Sequence, residues 1–290
     1  MGRWDALASE LAYAPLTRMN TLYVLVNARR IQGHRDIRMQ SETTFDRAVG
    51  STIGVSTSLR GLAAWLLGCC LALGSLPATA FPVSPSAAEI AQFGSLHAAA
   101  HRGDVAALER AIAAKANLNA RDGYGRTPLH VAAFARRHDA IRALAKGGAE
   151  LGAFENDRYD AVTIVGILGD EDTLRVLLAA GASAKLITSI HDGTALIASA
   201  HHGHPGVVRQ LIAAGAPLDH INILHWNALI EAVVLGDGGA RHQAVLRALL
   251  EAGADTRLAD RAGNTPLMLA KGRGFREMVQ MLEAAGARQR

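Results

Sequence analysis

Twelve histidines against two cysteines make imidazole the first chemistry to test in this chain. The densest group, His201-His202-Gly203-His204, puts three rings within four residues. Such a cluster suits a transition metal or acid–base work if further ligands come to meet it. His191 and His225 are distant candidates for that, so a metal- or substrate-binding enzyme built on His201 and His202 is one reading. The acidic trio Asp170-Glu171-Asp172 stands just before a helical pattern, where negative charge favours a helix N-terminus; it reads as a cap rather than a carboxylate dyad.

Strings that carry known chemistry are missing: there is no Gly-x-Ser-x-Gly, His-Glu-x-x-His, Walker loop or EF-hand sequence. Gly123-x-Gly125 and Gly272-x-Gly274 lack the third glycine and the strand-then-helix setting of a dinucleotide loop. The expectation is a chain without catalysis, cofactor or metal.

Both cysteines, Cys69 and Cys70, fall inside an apolar stretch from Leu62 to Leu76, preceded by Arg60 and followed by Pro77 and Ala78-Thr79-Ala80. This pattern is that of a secretory signal peptide with cleavage after Ala80, being shorter than the ~20 residues a membrane span requires. The stretch begins far from Met1, which a start at Met39 would repair; residues 1–58 read as a leader of doubtful translation or as disordered. The competing reading is a membrane anchor through residues 61–76. With the leader removed, residues 81–290 contain no cysteine, which excludes disulfides and thiolate catalysis there.

The net charge of +4 is unevenly distributed, because residues 1–80 hold 8 Lys and Arg against 5 Asp and Glu. Residues 81–290 hold 22 against 21, and no basic run tracks a phosphate backbone, so a nucleic-acid partner is not expected. Half of the chain is hydrophobic and only 4% aromatic, with 29 glycines, which favours many small helical units over a sandwich or barrel.

Those units are visible as a period. Leu96, Leu129, Val162, Leu196, Leu229 and Leu267 are spaced by 33, 33, 34, 33 and 38 residues. Nineteen positions after the anchor come Gly148-Ala149, Gly181-Ala182, Gly215-Ala216 and Gly286-Ala287; in the fifth unit Gly253-Ala254 is delayed by five residues. Each period reads as a short Ala-rich helix followed by one with an aliphatic stripe, such as Leu174, Leu177 and Leu178. The predicted units run near 90–122, 123–155, 156–189, 190–222, 223–260 and 261–290.

Gly125-Arg126-Thr127-Pro128-Leu129-His130 and Gly263-Asn264-Thr265-Pro266-Leu267 resemble the turn-helix signature of the ankyrin repeat, and Gly203-His204 and Gly253-Ala254-Asp255 resemble its later positions. The resemblance implies an all-α solenoid of about six helix-turn-helix repeats. It also implies that His97 and His130 bond within their own turns. Asp160-Ala161-Val162-Thr163 and Asn227-Ala228-Leu229-Ile230 depart from the signature, so those turns are expected to lose part of their usual chemistry. The insertion near Gly236-Asp237-Gly238-Gly239 is expected to lengthen a loop.

In ankyrin-like proteins the free positions are the loop tips and the exposed side of each first helix, which line a concave face. Those columns contain Tyr124, Arg126, Phe134, Tyr159, Ile167, Leu168, His191, His201, His202, Leu224, Trp226, Val234 and Leu235. Apolar side chains at nominally open positions read as a continuous docking surface for a protein partner. The expected protein is a monomeric, non-catalytic binder exported to a bacterial envelope, periplasmic or secreted, without stable membrane insertion once the signal is removed. The alternative is a secreted effector acting on host proteins.

Overall fold

The structure, a computed structural model, describes residue 82 and residues 84–286. The chain divides into two units, Met1–Phe81 and Pro82–Arg290. The apolar stretch, its cleavage point and both cysteines lie in the first, outside the described residues. No helix among the described residues is long and apolar enough to cross a membrane.

A short helix α1 (Ala87–Ala91) is followed by six helix pairs: α2 (Ser95–Arg102) with α3 (Val105–Ala113), α4 (Pro128–Phe134) with α5 (His138–Lys146), and α6 (Ala161–Leu168) with α7 (Glu171–Ala179). Then come α8 (Ala195–His201) with α9 (Pro205–Ala213), α10 (Ala228–Val234) with α11 (Ala240–Glu251), and α12 (Pro266–Gly272) with α13 (Arg276–Ala284). First helices pack on first helices from α2 through α12, and second helices on second helices from α3 through α13. The one two-stranded element among the described residues, β1 (Ile187–Thr188) antiparallel to β2 (Gly193–Thr194), is a loop tip before α8, with Ile187 opposite Thr194.

The predicted register is the register of the core. Leu129, Val162, Leu196, Leu229 and Leu267 are at most 1% exposed, while Leu96, on the terminal pair, is only partly covered. Ala132, Ala133, Ala200, Ala232 and Ala270 on the first helices have no exposed surface, so neighbouring helices approach to alanine distance. The stripe of each second helix fills the layer, and burying one such Leu stabilises the fold by about 1.5–3 kcal/mol. Gly181, at φ 98°, shows why the recurring glycine stands there: α7 ends on a left-handed residue that a side chain would strain.

One local expectation changes. The substituted turns keep their caps, because Asp160 accepts from Thr163 N at 3.0 Å and Asn227 from Ile230 N at 3.0 Å. The insertion in the fifth pair lengthens the loop as expected, to five residues (235–239) against two or three in the other pairs, and it also extends α11 to 12 residues where α9 and α13 have 9.

Candidate functional site

The face formed by the loop tips and the open side of the first helices is organised by bonds between successive pairs. At the tips, Asn156 N donates to Tyr124 O (3.0 Å), Ser189 N to Arg158 O (2.8 Å) and Ile223 N to His191 O (3.0 Å). Each tip is therefore tied to the next through backbone, and residues facing that seam are inside it.

Four of the predicted partner-binding residues are buried, two of them in this seam. Tyr159 and His191 are 6% and 7% exposed, enclosed where neighbouring tips bond. Val234, 6% exposed, lies in the last turn of α10, which packs between α8 and α12. Arg126 is 3% exposed because α1 covers it. Its Nε donates to Asp122 Oδ2 at 2.7 Å and its Nη2 to Glu89 Oε1 at 3.3 Å, while its guanidinium lies over the Tyr124 ring at 4.6 Å. That buried charge is stabilised by two carboxylates and an aromatic face. Glu89, in a capping box with Ser86, is held below the usual carboxylate range, chiefly by the Ser86 N–H; bonding to Glu89 pushes the Tyr124 hydroxyl up.

The other nine positions reach the surface. Tyr124 is 52% and Leu168 40% exposed; Phe134, Ile167, Leu224, Trp226 and Leu235 are half-buried, as are His201 and His202. The open face is thus narrower than the sequence columns, and its most exposed members are Tyr124 and Leu168. Two exposed apolar side chains lie outside the predicted set. Ile187 points out of β1 beside the buried Thr188, and Met268 stands where His130 stands in the second pair, on the last of the described first helices. A histidine slot filled by Met in the last repeat was the available signal.

The histidines serve the joints. His130 Nδ1 accepts the Thr127 N–H at 3.1 Å and its Nε2 donates to Tyr159 O at 3.2 Å, so it bonds within its turn and also across to the next pair. Burial lowers its pKa to about 4, in keeping with that neutral tautomer. His97 Nε2 likewise meets Arg126 O at 2.9 Å. A second ladder closes the C-terminal ends of the first helices, where carbonyls lack intrahelical donors. His204 Nε2 donates to Ile167 O (2.9 Å), Arg137 Nε to His101 O (2.9 Å), Arg241 Nε to Gly203 O (3.0 Å) and Arg273 Nη1 to Val234 O (2.8 Å).

Around His201 and His202 the rings stack at 4.5 Å, and His201 Nδ1 lies 3.3 Å from Oε1 of the buried Glu231. Burial, then the neighbouring His201, His204 and His242, holds His202 down at about pKa 3. A His–Glu pair could orient a general base, but the hydroxyl of Ser199, the serine closest in sequence, donates to Ala195 O at 2.7 Å. Among the described residues no group of three or more His, Cys, Asp or Glu could hold a metal ion. His191 and His225, the distant candidates, sit in the tip layer, one buried and one exposed.

Comparison with known proteins agrees with this geometry. Models of ankyrin repeats match residues 96–145 (many copies) and 160–260 (three copies). A putative ankyrin repeat protein of Escherichia coli, YahD, is 33% identical over 190 residues, 65% of this chain and 94% of that protein. The crystal structure of an ankyrin repeat domain from Acinetobacter baumannii is 40% identical, with a TM-score of 0.63 over 67% of this chain and 98% of that one. The ankyrin repeat protein EF0377 is 28% identical, with a TM-score of 0.61 over 66% and 96%. Stacks of this kind are protein–protein interaction modules and generally non-catalytic. With its period, its helix pairs and its relatives in agreement, the chain belongs to the ankyrin-repeat family.

Proposed function

We propose that this chain is an exported, non-catalytic binder that holds a protein partner on the face carrying Tyr124, Phe134, Ile167, Leu168, Leu224, Trp226 and Leu235. The observation that carries the reading is Leu168, 40% exposed at the end of α6 although that helix is otherwise apolar and largely buried. With Tyr124, Phe134, Ile167, Leu224, Trp226 and Leu235 also reaching the surface, Leu168 belongs to an apolar set of the kind a protein partner covers. Half-buried Ile167, Trp226 and Leu235 give a partner anchors that are already ordered, which lowers the entropy lost on binding. Export rests on the Leu62–Leu76 stretch and the Ala78-Thr79-Ala80 that follows.

Capture from an envelope fraction by the full chain tests binding. Leu168→Asp abolishes capture and leaves thermal unfolding unchanged; equal capture by both proteins refutes the face. Fractionation and the N-terminus of the mature protein test export. Periplasmic retention with Phe81 as first residue supports it, release into the medium favours the effector reading, and an intact leader refutes cleavage.

A further inference from the structure

The joint between the fourth and fifth pairs contains a ring whose two nitrogens both face oxygen. His242, in the first turn of α11, has a side chain only 12% exposed. Its Nδ1 lies 2.9 Å from Asp237 Oδ1 in the inserted loop, and its Nε2 lies 2.9 Å from the carbonyl of His201 at the end of α8. A neutral imidazole has one N–H and can serve only one of these acceptors, whereas the imidazolium serves both. The seat is shaped for the ring: a Cβ at Gly203 would stand 3.0 Å from its Cε1, and one at Gly236 2.8 Å from its Cγ.

We propose that His242 is a proton-operated latch: with both nitrogens protonated it ties the inserted loop to the end of α8, and with one proton lost it releases Asp237 or His201.

In this cluster His242 has an acceptor oxygen within hydrogen-bond distance of each nitrogen, while the other rings are differently engaged. His204 accepts Arg241 Nη2 on Nδ1 at 3.0 Å and donates from Nε2 to Ile167 O, a neutral arrangement, and burial lowers its pKa. His202, the C-cap of α8, is kept neutral by burial. His201 on α8 faces Glu231 of α10, and Arg241 on α11 itself donates to Gly203 O. The other helices packed on α11 bring Arg209 on α9 and Arg276, Glu277 and Glu283 on α13. Asp237 is held below the usual carboxylate range by the Gly239 N–H and then by His242, so it stays an acceptor. The loop borders Leu235, His201 and His202, so the latch adjusts one edge of the proposed docking face. That consequence rests on the docking reading, while the latch does not.

Amide hydrogen exchange of the full chain over residues 236–240 tests it without any partner, so its outcome is separate from that of the docking face. After correction for intrinsic rates, protection of this segment falls about threefold from the acidic to the alkaline side of neutrality, the effect expected of a partly exposed charged pair. Asp237→Asn keeps the loop closed on both sides, because its amide donates to the neutral ring. His242→Gln removes the pH dependence. Protection that does not change with pH in the unaltered chain, or an Asp237→Asn loop that still opens on the alkaline side, overturns the proposal.

Discussion

Between the first and second pairs, and again between the second and third, a buried imidazole donates to a carbonyl of the next turn: His97 to Arg126 at 2.9 Å and His130 to Tyr159 at 3.2 Å. In the third pair Thr163 holds that position and its hydroxyl donates to Thr188 Oγ1 at 3.1 Å; in the fourth and fifth, Ile197 and Ile230 hold it and have no proton to donate. The N-terminal joints are polar and directional. The later ones depend on packing there, and on the Arg and His caps at the far ends of the first helices. One fold is thus fastened in two ways.

Packing bears the larger load. Leu229→Ala, at a site with no exposed surface between α8 and α12, costs about 2–5 kcal/mol, read by urea unfolding. A loss under 1 kcal/mol would show that the later joints rest on their polar caps after all.

Acid strikes His130 in the N-terminal region and His202 among the later joints. The folded pKa of His130 is lowered from 6.5 to about 4, so the unfolded chain binds the proton first. Its contribution to stability is intact above pH 6.5 and is lost as pH falls toward 4, by about 3 kcal/mol from the size of that shift. His202, in the fourth pair and lowered to about 3, adds a loss in the same direction. His130→Ile, which copies the later pairs, costs about 1–3 kcal/mol at neutral pH by stranding the Tyr159 carbonyl, and removes the share of the acid-induced loss that His130 carries. An unaltered acid slope in that variant would dissociate acid sensitivity from the N-terminal joints. The global response to acid is loosening, opposite in sign to the local tightening expected at His242.

Much of this was legible because a solenoid repeats its contacts at fixed sequence spacing. Leu129, Val162, Leu196 and Leu229 were recognisable as core from their period, and Leu168 as open from its phase. Burial of Tyr159 and His191 was not, because it comes from one loop tip bonding to the next, about thirty residues away. Nor was that of Arg126, since Glu89 reaches it across 37 residues from a short helix outside the period. His242 escaped notice because the insertion shifts it out of phase with the other capping residues.

The finest contrast is between the third and fifth caps. Asp160 and Asn227 both accept a backbone N–H on Oδ1, and both keep a second side-chain atom, Oδ2 or Nδ2, buried with no hydrogen-bond partner. Only one of them is a carboxyl group. Burial pushes the Asp160 carboxyl above its usual range, so the folded chain takes up its proton more readily than the unfolded one. The ionised form therefore burdens the fold at neutral pH, and that burden lifts as pH falls through the raised value. Asp160→Asn keeps the bond from Thr163 N and discards the charge, giving a gain of about 1 kcal/mol near pH 7 that disappears on acidification. Equal stability of the two proteins at every pH would mean the carboxylate is satisfied where it stands, and that the third joint is as well bonded as the second.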